Sequence, residues 1–335
     1  MTPTVATTVD LDLSLPIATL LRVGTAAAHE RAEHSEGAGW LTRGELDKEE
    51  YVRFLMMLWH IYDHLECALE QYASHSTLYP THNPALFARS SNIAADISHL
   101  LQVNESTWQS HPMHTALMLS PPSALTDYVS RIEAVAESSD PSPLLSHAYV
   151  RYLGDLSGGQ FIRRRVVKAY GLENGNGVQF YDFKPLGGTG SGTIGDMKKI
   201  KEWYRDGMNT AVGNDKALKA AIVREANLAF ELSTAIFASL KAPSSTPPFY
   251  ESTSPIDSES EPTTPIEEDT KSEAVSKVVY EAAEPKEWLY RLSSIISVVA
   301  ALSLAHFILV VGGFTGERGY AKLEAFQQWF TSAAN

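Results

Sequence analysis

Two stretches of this 335-residue chain carry side chains whose types and spacing could do chemistry. In LRVGTAAAHERAE, Leu21 to Glu33, the residues Arg22, Ala26, His29 and Glu33 fall at i, i+4, i+7 and i+11. On one helix they form a single stripe, with an imidazole projecting from a surface of alanines. Arg22 and His29 are then two turns apart, about 10.5 Å at 1.5 Å per residue. That spacing suits a flat ligand held at its centre by the imidazole and at its edge by the guanidinium. A lone helical histidine is more often a satisfied core or surface residue, so the stripe alone leaves both readings open.

The second stretch, SHAYVRYLGDLSGGQ from Ser146 to Gln160, puts Gly154, Gly158 and Gly159 inside a pattern that is helical on both sides. At about 1 kcal/mol each relative to alanine, they cost the helix about 3 kcal/mol. Gly154 and Gly158 lie one turn apart beside Arg151 and Asp155, so bare backbone would border a carboxylate and a guanidinium. A planar ligand could lie on that surface. Close helix packing or a kink accounts for the glycines equally well. Two basic features stand outside these stretches. Lys201 and Arg205 in KKIKEWYRDGMN share a helical face, ordinarily a solvated one, and Arg163-Arg164-Arg165 with Lys168 reads equally as cations favoured by a helix C-terminus.

The elements that must position these groups are helices. Asp47-Lys48-Glu49-Glu50 resembles a capping box opening a helix through Tyr72, in which Phe54, Leu58, Ile61, Leu65, Ala68 and Leu69 recur at three- and four-residue steps. Ser142-Pro143 reads as an N-cap followed by proline at the first helical position, and Gly171 as a stop. Further helices are expected over 195–209 and 216–240. Val178 to Phe183, VQFYDF, is the best strand candidate, and nothing pairs with it. The class is all-α.

The same two stretches carry a resemblance: AHERAE around His29 and HAYVRYLGDLSGGQ from His147 to Gln160 are similar to the signature segments of heme oxygenases, in the same order and with the same wide separation. The resemblance runs from Leu20 to Leu240. It implies a multi-helical domain that binds heme b as both substrate and cofactor and opens it to biliverdin, carbon monoxide and ferrous iron. Dioxygen is consumed, with electrons from NADPH through a cytochrome P450 reductase-type donor.

The resemblance also implies roles. His29 is the proximal iron ligand, with Glu33 on its other ring nitrogen. Gly154 and Gly158 let backbone approach the heme face, and Asp155 orders the distal water network, supported by Arg151 and Tyr62. Lys201 and Arg205 hold the propionates, with Arg22 and Tyr149 contributing. Arg163 to Arg165 with Lys168 dock the acidic reductase. The alternative is a tail-anchored protein that binds or senses heme without turnover, against which Asp155 argues, because binding alone needs no distal acid.

Composition bounds the rest. With 44% apolar and 20% charged residues the chain can bury a sizeable core, and a net charge of -13 disfavours a nucleic-acid surface. Eleven acidic residues and three lysines between Glu251 and Glu287 carry -8 of that charge, so the rest is only mildly acidic. A single cysteine, Cys67, excludes an internal disulfide or thiolate cage and is expected to be a small buried apolar residue.

The start of the chain shows no secretory signal. Leu292 to Phe314 is a run of 23 residues without Asp, Glu, Lys or Arg, long enough to span a bilayer. The expected organisation is a catalytic domain over 1–241, a Pro/Ser/Thr-rich acidic linker over 242–287, a transmembrane anchor over 288–316 and a short tail over 317–335. Such a tail anchor implies a cytosol-facing domain on the endoplasmic reticulum membrane, or alternatively the mitochondrial outer membrane.

Two signals carry less. GSGTIG, Gly190 to Gly195, fits a dinucleotide-binding pattern but lacks βαβ surroundings and reads as a loop. His60 and His64, one turn apart, could bind a metal, yet no Glu-x-x-His motif supports a di-iron bundle.

Overall fold

Twelve α-helices and three short 3-10 turns make up the computed structural model over residues 11–244, the part of the chain described here. In chain order the helices are α1 (Ile17–Gly24), α2 (Ala26–Glu33), α3 (Glu36–Arg43), α4 (Lys48–Gln71), α5 (Pro84–Phe87), α6 (Ser90–Leu101), α7 (Pro112–Leu119), α8 (Ser123–Ala136), α9 (Leu144–Asp155), α10 (Gly158–Tyr170), α11 (Ile194–Val212) and α12 (Lys216–Ala238). There is no strand among the described residues, so the all-α expectation holds for them. The chain divides into two units, Met1–Ser252 and Thr253–Asn335, and every described residue belongs to the first. The expected anchor, the tail and the linker beyond residue 244 lie outside the described residues. Among the described residues no helix is long and apolar enough to cross a membrane.

The core forms around α4, as its periodicity requires. Phe54, Leu55, Leu58, Ile61, Tyr62 and Leu65 are all buried and pack against α6, α8 and α9. The capping box expected at its start does not form: Asp47 makes no cap bond and instead accepts hydrogen bonds from Ser244, while Glu50 pairs with Arg53 and accepts from the Lys241 amide. Both carboxylates are engaged by the chain at 241–244. The expected N-cap Ser142 is also spent elsewhere, on the Thr77 hydroxyl, and α9 starts after Pro143. Gly171 does end α10, in the left-handed conformation at φ 60° that glycine adopts without strain.

The strand expected at Val178 to Phe183 is instead a 3-10 turn, Gln179–Tyr181. The carboxylate of Asp96 accepts the amides of Gln179 and Phe180, and Arg89 donates to the carbonyls of Phe180 and Asp182. Two buried side chains satisfy the backbone groups a neighbouring strand would have paired.

The second major support is α12, which packs on α1, α2, α8 and α9. The Asn227 amide donates to the Gly24 carbonyl, and the Ser146 hydroxyl donates to the Ile222 carbonyl. One helix thus backs both of the segments singled out in the sequence.

Candidate functional site

The His29 segment is not one straight rod. At Thr25 the backbone departs to φ -110° and ψ 2°, and the Thr25 hydroxyl donates to the Leu21 carbonyl at 2.6 Å. The Thr25 amide still donates to the Leu21 carbonyl and the His29 amide to the Thr25 carbonyl, so the interruption is one residue long, with Arg22 on α1 and His29 and Glu33 on α2. His29 packs edge-on against Phe230 of α12, with ring centroids 5.5 Å apart. Its Nδ1 is 3.5 Å from Glu33 Oε2. The imidazole is 57% exposed.

The glycine segment bends as well. Helix α9 ends at Asp155, α10 begins at Gly158, and Ser157 between them has φ -115° and ψ -88°. The three glycines then separate by what surrounds them. A Cβ on Gly159 would meet the Tyr181 ring at 3.1 Å, so this glycine is there for packing. At Gly154 and Gly158 a Cβ would meet nothing within 4 Å, and both residues are exposed. Close helix packing does not explain them. They leave a strip of bare backbone facing open space, as a flat ligand requires.

Beside that strip Asp155 is buried, at 6% exposure, and accepts a hydrogen bond from the phenol of Tyr62. Burial raises its pKa to about 6, against the opposing pull of Arg151, the Tyr62 hydrogen bond and Arg89. The Arg151 guanidinium stands over the Tyr62 ring, 5.6 Å from its centroid. Burial disfavours the charge on Arg151, but Tyr62, Tyr128 and Asp155 around it hold its pKa above the usual value. Two buried atoms here, Arg151 Nε and His147 Nδ1, have no hydrogen-bond partner. Such atoms mark places for ordered water or a ligand.

A cationic edge lies near the turn between α1 and α2. Burial raises the pKa of the Tyr149 phenol, while the neighbouring Arg205, Thr25 and Arg22 draw it back. This gathers three of the four residues expected at the propionates. The fourth, Lys201, reaches the kink, where its Nζ donates to the Ser157 hydroxyl at 3.3 Å. Burial and then Arg205 lower its pKa. The sequence-predicted residues therefore fall into three groups: His29 with Glu33, Asp155 with Tyr62 and Arg151, and Tyr149 with Arg22, Arg205 and, through the kink, Lys201.

Other residues of the site escaped sequence reasoning. Under α9, His147 Nε2 donates to Glu225 Oε1 at 2.8 Å, and Arg131 donates to both carboxylate oxygens at 2.8 and 2.5 Å. Burial works to raise the Glu225 pKa, but these hydrogen bonds and charges hold it at about 2. A signal was present: Glu225 stands at the buried helical step shared by Ile222, Ala226 and Ala229, and a charged residue there must have a partner. Nothing in the sequence pointed to Phe230 or Tyr128. Cys67, expected to be buried, is exposed, because it points away from the packed face of α4. The Arg163 to Arg165 run lies on α10, where Arg165 and Arg164 stand 4.9 and 5.9 Å from the Phe161 ring centroid.

The chain is similar to known proteins. The family model described as "Heme oxygenase" matches residues 15–239. Heme oxygenase 2 of Synechocystis sp. is 32% identical over 225 residues, covering 67% of this chain and 83% of that protein. Heme oxygenase 2 of Macaca fascicularis is 32% identical over 228 residues, covering 68% and 66% respectively. The crystal structure of the Synechocystis heme oxygenase-2 in complex with heme and NO superposes with a TM-score of 0.59 at 31% identity, covering 67% of this chain and 84% of that one. The chain belongs to the heme oxygenase family.

Proposed function

We propose that this protein degrades heme, opening the macrocycle to biliverdin, carbon monoxide and ferrous iron with dioxygen and electrons drawn from NADPH through a P450 reductase-type flavoprotein. The observation that carries the reading is the pairing of bare backbone with a buried acid: open space over Gly154 and Gly158, and the Asp155 carboxyl held next to it by Tyr62. Family membership and the heme-bound relative support the substrate.

The residues present fit a heme. His29 offers an exposed imidazole with the Glu33 carboxylate 3.5 Å from its Nδ1, where a carboxylate can hold the other ring nitrogen of a metal-ligating histidine. The glycine strip lets backbone approach the opposite face. Arg22, Lys201, Arg205 and the Tyr149 phenol suit two carboxylates at the edge, where guanidinium and ammonium donors make charge-assisted bonds. When bound, heme supplies the iron at which dioxygen is reduced and is itself the molecule cleaved.

What this chain adds is control of protons. Asp155, with a pKa of about 6, holds a proton poised for transfer near neutral pH, where a general acid works best. Tyr62 fixes the carboxyl in place through Oδ2. The unpartnered atoms of Arg151 and His147 provide further anchoring points for water that can return the proton.

The same reading extends to the rest of the chain. The basic run on α10 is a docking surface for the acidic electron donor, and the apolar run Leu292 to Phe314 anchors residues 1–241 to the endoplasmic reticulum membrane, facing the cytosol. The functional assay uses the full chain mixed with hemin and a reducing system under air. The Soret band decays and bile-pigment absorption appears. A Soret band that persists with no pigment overturns the enzymatic reading in favour of a heme-binding or heme-sensing protein.

A further inference from the structure

Two histidines outside the heme site meet head-on. His60 of α4 and His114 of α7 bring their Nε2 atoms to 3.0 Å, with ring planes 12° apart and ring centroids 5.3 Å apart. The centroid separation of 5.3 Å exceeds the nitrogen–nitrogen distance of 3.0 Å by 2.3 Å, about two ring radii and the most it can, so both nitrogens lie close to the line joining the rings and their in-plane axes nearly coincide. Two protonated rings would set N–H against N–H, so at least one nitrogen presents a lone pair. His114 Nδ1 lies 2.7 Å from the Gln109 carbonyl oxygen. A carbonyl only accepts, so Nδ1 carries the hydrogen, and the neutral ring turns an unprotonated Nε2 to His60. A backbone-anchored tautomer of this kind is how proteins present metal-ligating imidazoles. Trp59 and Trp108 pack edge-on against the two rings, with centroids 5.0 and 4.9 Å away, and hold them in register.

We propose that His60 and His114 form a two-coordinate site for a soft monovalent d10 cation, with cuprous ion the biological representative. The cation takes the place of the hydrogen between the two nitrogens, and His60 carries its N–H hydrogen on Nδ1 instead, so no net proton is released. The in-line geometry selects the ion. Zinc requires ligands that converge tetrahedrally, which opposed lone pairs deny, whereas a cation content with two ligands in a line fits between them. Among the described residues no group of three or more His, Cys, Asp or Glu is placed to hold a metal, so two nitrogens are the donor set. With metal–nitrogen bonds of about 2.0 Å the nitrogens would stand about 4 Å apart. The half-buried His60 parts from His114 by about 1 Å to reach that.

The test is an anaerobic titration of the heme-free full chain with Cu(I) against bathocuproine disulfonate, and with Ag(I) alone, in a Cys67→Ser background that removes the exposed thiol. One equivalent is retained and tryptophan fluorescence is quenched. His114→Phe and His60→Gln each lower the apparent affinity at least tenfold. The glutamine amide can still donate to His114 Nε2, so that variant keeps α4 and α7 tied while removing a ligand, and its helical circular dichroism matches the parent. Absence of binding in the parent overturns the proposal. So does an equivalent of Cu(I) that survives His60→Gln, or Zn(II) bound as tightly through the same two histidines.

Discussion

The phenol of Tyr62, midway along α4, donates its proton to Oδ2 of Asp155, the last residue of α9. This contact fixes a buried carboxyl beside a strip of backbone from which side chains are missing, and it joins the long central helix α4 to the bend in the glycine segment.

If Asp155 serves proton delivery and not heme binding, Asp155→Ala separates the two. Hemin affinity stays within about twofold of the parent, and the biliverdin yield per turnover falls by about 10²-fold, the scale of a lost general acid. Hemin titration followed by pigment quantification measures both. An undiminished yield contradicts the role.

The acid also sets a pH dependence of stability. Its folded pKa of about 6 lies above the ordinary 3.8, so the folded state holds the proton more tightly than the unfolded one. The protonated form is favoured below pH 4, and stability contributed by Asp155 declines as pH rises from about 4 to about 6, then levels off. Asp155→Asn removes this slope and stabilises the protein at pH 8 by up to about 3 kcal/mol, at 1.36 kcal/mol per pKa unit. Urea unfolding at pH 4 and pH 8 checks the sign.

Gly154→Ala distinguishes a ligand surface from a packing surface. A methyl group there meets no protein atom within 4 Å. The heme-free protein therefore gains about 0.5–1 kcal/mol from the better helix former, while hemin affinity drops at least tenfold. Unchanged hemin binding would mean that the open strip faces solvent and nothing else.

Glu225 is a heavily committed carboxylate beneath α9. Glu225→Gln leaves the partly exposed Arg131 without its ion-pair partner and weakens the bond from buried His147, costing about 1.5–3 kcal/mol near neutral pH. The folded pKa of about 2 is below the ordinary 4.5, so the stabilisation is fully present above pH 4.5 and is lost as pH falls through 2. The gap between parent and variant therefore closes in acid, which thermal unfolding across that range records.

The sequence made the helices legible where burial is periodic. The three- and four-residue repeat of Phe54 to Leu69 gave α4, and Gly171 marked the end of α10 because only the chain's local geometry was at issue. It failed where a distant side chain decided the outcome. Arg89 and Asp96 convert a strand-like VQFYDF into a 3-10 turn, and Ser244 and Lys241 draw Asp47 and Glu50 away from a capping box. The break at Thr25 is a departure in φ and ψ at a single residue, which no periodicity reveals. Within the candidate site, the residue types were readable but their grouping was not: the Tyr62 to Asp155 contact spans 93 positions, and only folding brings them together. Gly154, Gly158 and Gly159 looked alike in the sequence and differ only in what stands above them.

The most direct test of the central claim is the absorption spectrum of hemin bound to the full chain and to His29→Ala. The parent shows an imidazole-ligated iron. His29→Ala loses that signature and recovers it when free imidazole is added. A His29→Ala spectrum indistinguishable from the parent would place the iron ligand elsewhere and contradict the account.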